Sequence, residues 1–217
     1  MADSVEIALA AVAQAFAAYP RRAVLDRCPH CGPPVRVEDA DLYWLAIKLG
    51  NTVGDRADVK SLVPLLLARL VTSDELDPEI VLGKLTQEHW RSWPRAEQSA
   101  IEEFLESVWA AVLAEFPAGV GAFTSAAEFL RGIGVIGFDP APYLVAWEST
   151  SGIAADRHLA EIVRDVMYRP DRMDRVTAWL RREEVRDRLF RAFERDHAAE
   201  WAGEFARAYD LAAMLVS

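Results

Sequence analysis

Apolar residues recur along most of this chain at spacings of three and four, the period of an amphipathic α-helix. In the first segment they fall at i, i+4, i+7, i+11 and i+14, namely Val5, Leu9, Val12, Phe16 and Tyr19. Asp3 or Ser4 is the expected N-cap. Pro20 ends the helix, because the residue before a proline avoids the helical region. We therefore predict helix 1 over residues 4–18.

The same periodicity predicts helices along the rest of the chain. They lie at about 38–49, from Asp55, from Asp77-Pro78, at 94–116, after Ser125, from Asp139-Pro140, and at 153–168, 171–182, 183–197 and 198–215. Pro64 lies inside the helix that starts at Asp55 and is expected to kink it or begin a new turn. Ser125 and Glu128 have the spacing of a capping box.

Two stretches interrupt the helical pattern. Residues 20–37 contain four prolines and a glycine and are predicted to be irregular. Glycines cluster over 119–137, which is the best hinge candidate in the chain. The segment 135–138 is the only strand-like run and is too short to build a sheet. The predicted class is therefore all-α, made of antiparallel helical hairpins.

A short sequence pattern occurs twice and bears on how these hairpins are arranged. Leu76-Asp77-Pro78 and Phe138-Asp139-Pro140 open the same order of elements 62 residues apart. Stacked hairpins, as in a HEAT-like array, would produce this repetition. The alternative is that Asp-Pro is simply a common way to start a helix. We predict one helical domain over 1–217, with a subdivision into 1–116 and 139–217 near 117–138 as the alternative.

Charge and composition exclude several function classes. The net charge is −10 and the pI about 4.9, so the chain is expected to bind neither nucleic acid nor anionic membranes. Asp3 and Glu6 contradict a signal peptide at the apolar N-terminus, and no apolar run reaches the ~20 residues of a membrane span. We predict a cytoplasmic protein, and its arginine-rich, alanine-rich composition suggests a bacterial source.

Both cysteines lie in one segment, Cys28-Pro29-His30-Cys31. Two cysteines at this spacing can supply half of a tetrahedral zinc site, so Cys28 and Cys31 are candidate zinc ligands and His30 is a weaker one. A distant histidine, a carboxylate or a second subunit would have to complete the shell. Disulfide oxidases of the thioredoxin class share the tetrapeptide but place it after a strand, which is missing here. Two reduced thiols without a ligand are the alternative.

No catalytic motif stands out elsewhere. The segment 50–55 lacks the lysine of a phosphate-binding loop. His89 and Trp90 precede the longest helix and are the best candidates to line an enzymatic pocket, although such residues more often seal a junction between helices. The mixed charges of 171–200 are typical of a solvated helix surface.

Several short segments together resemble a family of uncharacterised bacterial all-helical proteins, over about residues 15–116. These segments are Tyr19-Pro20, Cys28-Pro29-His30-Cys31, Gly54-Asp55, Val63-Pro64, Leu76-Asp77-Pro78, Lys84-Leu85 and Trp90–Pro94. The family pattern has Asp-Phe-Arg-His where this chain has Asp58-Val59-Lys60-Ser61. The resemblance implies a shared helical fold and a bacterial origin, and it implies no reaction.

The leading hypothesis is a helical interaction or scaffold protein whose interhelical grooves bind a protein partner. Homodimerisation is also expected, through the last helix with Trp201, Phe205, Tyr209 and Met214. The alternatives are a zinc-binding or thiol-based regulator that uses Cys28 and Cys31, and an enzyme with a helix-lined pocket. No cofactor other than zinc is indicated.

Overall fold

The computed structural model of the protein describes residues 2–28, 30, 32–169 and 173–215. These ranges contain eleven α-helices and one two-stranded ribbon, which confirms the all-α prediction. The helices are α1 Ala2–Ala15, α2 Leu42–Lys48, α3 Arg56–Thr72, α4 Pro78–Gln87, α5 Arg95–Ala114, α6 Ala126–Val135, α7 Ala141–Ser149, α8 Ile153–Tyr168, α9 Asp174–Leu180, α10 Glu183–Arg195 and α11 Ala202–Leu215. Within the described ranges, no helix combines the length and apolarity that crossing a bilayer demands.

The chain forms two compact units. The N-terminal unit comprises the residues up to Ala111 together with Val120–Phe123 and Val135–Gly137. The C-terminal unit comprises Val112–Gly119, Thr124–Gly134 and the residues from Phe138 onward.

The core of the N-terminal unit is built from the apolar faces of α1, α3 and α5 and from α4, which packs on α2 and α3. Val5, Val12 and Phe16 of the predicted stripe on α1 are buried. Asp55 caps α3 through a capping box with Asp58, as the Gly54-Asp55 start suggested. Side-chain caps at Asp41, Asp55 and Asp77 explain where α2, α3 and α4 begin, since each cap satisfies backbone N–H groups that have no partner within the helix.

Pro64 neither ends α3 nor starts a new helix. The helix continues from Arg56 to Thr72 with Pro64 inside it. A proline inside a helix costs about 3 kcal/mol, whereas each fully buried Leu or Val contributes about 1.5–3 kcal/mol. Five apolar side chains around the proline are buried, namely Leu62, Val63, Leu66, Leu67 and Leu70, so tertiary packing outweighs the local penalty.

The irregular stretch at 20–37 contains the β-structure of the described residues. Strand β1, Val24–Leu25, pairs with β2, Val35–Arg36, in an antiparallel ribbon. The strand-like run at 135–138 instead forms the end of α6 and the turn after it, where Gly137 has a φ of 69°. Both strands are two residues long, which is too short for a sequence pattern to show.

Several helix starts also differ from the prediction. Helix α2 begins at Leu42 rather than at Glu38, because the Asp41 side chain accepts from the backbone N–H of Trp44 at 2.7 Å. In the capping box before α6, Glu128 reaches the backbone N–H of Thr124 rather than that of Ser125. The predicted helix start at Asp171 lies outside the described residues. Local side-chain hydrogen bonds set these boundaries, and they are hard to read from apolar spacing alone.

In the C-terminal unit, α8, α10 and α11 pack on one another, and α9 packs against α7, α10 and α11. Arg188 on α10 joins three segments at 2.7 Å each, donating to the carbonyls of Trp147 and Thr150 and to the buried Asp156. Helix α11 packs on α8 as well as on α10, the helix that precedes it in the sequence. A HEAT-like array is therefore not confirmed. Phe205 is fully buried by this packing, while Met214 stays exposed.

Candidate functional site

Cys28, the first predicted zinc ligand, lies shortly after β1 and is half-buried. Its backbone N–H donates to the carbonyl of Thr52 at 3.0 Å, which fastens the loop to the turn after α2. The Cys28 Sγ atom lies 4.0 Å from Nδ1 of His30, whose side chain is exposed. Cys31, the second predicted ligand, lies outside the described residues. The structure therefore brings Cys28 and the weaker candidate His30 close to each other.

The other three histidines have different surroundings. His89 is exposed and adopts a left-handed φ of 53° before a 3-10 turn at Trp90–Ser92. His158 is fully buried with Nε2 2.9 Å from the carbonyl oxygen of Glu115, and the exposed His197, after the end of α10, lies 3.0 Å from the carbonyl oxygen of Glu194. Over the part of the chain that the structure describes, no three His, Cys, Asp or Glu side chains are grouped to hold a metal ion. Zinc binding stays a prediction.

A buried carboxylate, Asp58, holds the N-terminus of α3 to the segment after α1. Its Oδ1 accepts from Arg22 Nε at 2.8 Å, and its Oδ2 accepts from the backbone N–H of Asp55 at 2.9 Å. The hydrogen bond from Arg22 is the main reason why the pKa of Asp58 lies below its ordinary value. Both oxygens have partners within the protein, so this carboxylate has a structural role.

Lys60 lies in a buried polar cluster in the same unit. Its Nζ is 2.6 Å from Glu97 Oε2 and 2.9 Å from the hydroxyl of Tyr19, which donates to Glu97 Oε1 at 2.7 Å. The ammonium also lies 4.6 Å from the ring centroids of Tyr19 and Trp93. Tyr19 and Trp93 belong to two of the segments that were quoted for the resemblance, and Lys60 belongs to the segment Asp58-Val59-Lys60-Ser61. Lys60 is therefore a packing position that joins α3 to α5.

The structure separates the two residues that were predicted to line an enzymatic pocket, because the His89 side chain is exposed. Trp90 is buried. Neighbouring Lys84 is buried too, and its Nζ donates to the carbonyls of Ile47 and Leu49 at 2.8 and 2.9 Å, at the end of α2. Burial lowers the pKa of the Lys84 ammonium. Neither cavity described below is lined by His89 or Trp90, so the enzyme hypothesis stays a prediction without support from geometry.

A groove between α1 and α5 is the larger of two cavities described here, with a volume of about 470 Å³. From α1 it is lined by Ser4, Ile7, Ala8 and Ala11. From α5 it is lined by Glu103, Glu106, Ser107 and Ala110. Each set has the spacing i, i+3, i+4, i+7, so each is a single stripe along one side of its helix. The groove exists because alanines and serines occupy most of the positions where two helices would otherwise interdigitate larger side chains.

The groove is apolar along α1 and acidic along α5. The Ile7 side chain is 71% exposed, although it lies on a helix whose other face is in the core. Glu103 and Glu106 are exposed, and neither makes an ion pair with any described residue. Solvent-exposed apolar surface beside two unpaired carboxylates favours a partner with an apolar face and positive charge at its edge.

A second, smaller cavity of about 270 Å³ lies in the C-terminal unit. Leu130, Phe138 and Val176 give it an apolar lining, and Asp174 and Arg175 lie at its edge. Arg175 is engaged with Asp139, with Nη1 2.7 Å from Oδ1. This second cavity is small for a ligand site, since ligand pockets typically measure about 300–1,000 Å³. The α1/α5 groove is therefore the better candidate.

No family model matches this sequence, no curated protein matches it, and no solved structure matches the chain. The resemblance to uncharacterised bacterial helical proteins stays a prediction, which rests on the segments quoted above.

Sequence reasoning missed the groove, although its signal is present in the sequence. Ser4, Ala8 and Ala11 lie on the same helix as the apolar stripe of α1 but beside it, and Glu103 and Glu106 read as ordinary surface acids. Small residues at i, i+4 and i+7 on α1, and at i+4 and i+7 on α5, would have indicated close-approach surfaces. Only packing shows that both stripes face each other.

Proposed function

We propose that this protein is an interaction module whose α1/α5 groove binds an α-helix of a partner protein. The groove carries the proposal: it is lined by about two turns of each of two helices, and five of its eight lining residues are alanine or serine. An amphipathic helix that lays its apolar face into such a groove is a common mode of peptide recognition. The exposed Ile7 provides the apolar contact, and the two unpaired glutamates select a partner helix with lysines or arginines at its edge.

The net negative charge of the protein also favours a partner helix with basic residues. The protein carries a net charge of −10, so a basic helix is attracted over a distance of about a Debye length, ~8 Å at physiological ionic strength. Small groove residues allow an incoming helix axis to approach to about 8–10 Å. A third helix seated between α1 and α5 would fill the groove with leucine-sized side chains.

The first test uses a fluorescein-labelled peptide of 18 residues, helical, with leucines on one face and lysines flanking them. We expect saturable binding by fluorescence anisotropy. Ala110→Trp fills the groove, and Glu103→Lys/Glu106→Lys reverses its charge, so each is expected to weaken binding about tenfold or more.

Two matched control variants show whether the peptide binds in the groove or is attracted by the net negative charge of the protein. Ala13→Trp adds the same side chain on an exposed position of α1 that does not line the groove, and Asp39→Lys/Asp74→Lys makes the same change in net charge elsewhere. Both are expected to bind the peptide within about twofold of the original protein. If the control variants lose as much affinity for the peptide as the groove variants do, the peptide is attracted to the acidic protein as a whole. The groove proposal would then fail.

A second candidate function is zinc binding at the loop after β1. The specific observation is the 4.0 Å between Cys28 Sγ and His30 Nδ1, close to the ~3.6 Å that two ligands of one tetrahedral zinc would show, given Zn–S and Zn–N distances of about 2.3 and 2.0 Å. With Cys31, the loop would offer three ligands, and a fourth would come from water or a second molecule.

The zinc proposal predicts stoichiometric metal. We expect about one zinc per chain, or one per two chains if the site is shared, in protein purified without chelators or metal-affinity resin. Both thiols should then react slowly with a thiol reagent until a chelator is added. Cys28→Ser should lose the metal, whereas His158→Gln, a change at a histidine in the C-terminal unit, should keep it. Protein without metal and with two rapidly reacting thiols would overturn the proposal.

A further inference from the structure

Helix α10 carries two aromatic side chains on its outer side. Val185, Leu189 and Ala192 point into the C-terminal unit and are buried. Phe190 and Phe193 are 47% and 36% exposed. The ring of the half-buried Tyr209, on α11, lies 6.1 Å from that of Phe190, which extends the apolar surface onto the neighbouring helix. Burying such rings against a partner is favourable, because it removes apolar surface from water.

Opposite charges lie at equal distances on either side of Phe190. Arg186 stands four residues before it and Glu194 four residues after it. At 100° per residue, each lies about 40° round the helix from Phe190, so all three share one side. Glu194 is exposed and makes no ion pair with a described residue. Arg186 bonds the hydroxyl of Tyr209 at 3.3 Å, but its buried Nε has no hydrogen-bond partner among the described residues.

This arrangement is complementary to itself. When a second copy of α10 lies antiparallel across the first with a two-fold axis at Phe190, Arg186 of each copy is level with Glu194 of the other. The symmetry makes two such pairs and places the two Phe190 rings against each other, as an isologous interface requires. A parallel arrangement would instead oppose like charges.

We propose that the protein forms a homodimer through α10, with the two-fold axis at Phe190 and with reciprocal Arg186–Glu194 ion pairs. The 13-residue helix is about 20 Å long at 1.5 Å per residue. One face of it offers less than the ~800 Å² per partner of a standard interface, so we expect a weak dimer. This dimer is centred on α10, and the last helix contributes only Tyr209 at its edge, since Phe205 is buried within its own unit. The proposal is independent of the α1/α5 groove.

Sedimentation equilibrium from about 1 to 300 µM protein tests this, because mass action makes the dimer fraction rise with concentration. We expect a monomer–dimer equilibrium that weakens in 1 M salt. Phe190→Glu should abolish the dimer. Arg186→Glu and Glu194→Arg should each weaken it about tenfold or more, because each replaces two attractive pairs by two repulsive ones.

The double variant Arg186→Glu/Glu194→Arg decides between this geometry and any other. It restores two opposite-charge pairs, so it should dimerise within about threefold of the original protein. Val145→Asp, at an exposed apolar residue of α7, should leave the equilibrium unchanged. Circular dichroism of every variant should match the original, which separates loss of association from loss of folding. A monomer at all concentrations, a dimer that survives Phe190→Glu, or a double variant as weak as its parents would overturn the proposal.

Discussion

Replacing Glu97 by alanine is expected to lower the free energy of unfolding by about 3–5 kcal/mol, because it leaves the buried Lys60 ammonium without its carboxylate. Lys60 is 7% exposed and Glu97 is 3% exposed, so water cannot replace the lost partner. The Tyr19 hydroxyl also loses the acceptor 2.7 Å away. Urea unfolding, followed by circular dichroism and by tryptophan fluorescence, measures the change.

A triple variant shows whether the loss comes from an unpaired charge. Tyr19→Phe/Lys60→Met/Glu97→Leu removes every polar member of the cluster and fills the space with apolar groups. Replacing a buried ion pair in this way is often neutral or stabilising, so we expect stability within about 1 kcal/mol of the original protein. If Glu97→Ala alone leaves the unfolding midpoint in place, the pair is not desolvated and the explanation is wrong.

Replacing Gly121 by alanine is the second change expected to have a large effect, at about 3–5 kcal/mol. Gly121 has a φ of 53°, and a Cβ atom added to it would lie 2.6 Å from the carbonyl carbon of Val71, with the carbonyl oxygen of Leu70 closer still. These are backbone atoms, so no side chain can rotate away. The same carbonyl of Leu70 accepts from the N–H of Ala122 at 2.8 Å, and the turn would have to give up that bond to make room.

Gly137 supplies the matched control. Its φ is 69°, but a Cβ atom there meets nothing within 4 Å. Gly137→Ala therefore has the conformational cost without the collision, and we expect a loss of about 1 kcal/mol. Thermal or urea unfolding of both variants gives the comparison. Equal losses would contradict the proposed close approach of the chain to the end of α3.

Local sequence signals predicted the helices well. The apolar stripe of α1, the caps at Asp55 and Asp77, and the long helix over 94–116 are all present in the structure. These features depend on residues within one or two turns of each other, so short-range periodicity contains them. The same local rule allowed a new helix start at Pro64, but α3 continues through it, because the packing around the proline is not local.

The candidate sites also contain some features that the sequence could predict and others that it could not. Cys28 and His30 are two residues apart, and their proximity was predictable from the sequence. The α1/α5 groove was not, because Ile7 and Glu106 are about a hundred residues apart and each looks ordinary by itself. Likewise, Arg186 and Glu194 read as part of a charged helix surface until the structure showed which side of α10 is buried.

The sequence by itself determined that this is an acidic, all-α protein with two cysteines in one loop, since charge, composition and 3.6-residue periodicity are properties of the chain alone. Only the tertiary structure decided which polar residues are buried together, such as Lys60 with Glu97, and which apolar residues stay exposed, such as Ile7 and Phe190. Burial depends on which helices pack against each other, and that is set by the sum of many weak contacts between residues far apart in sequence.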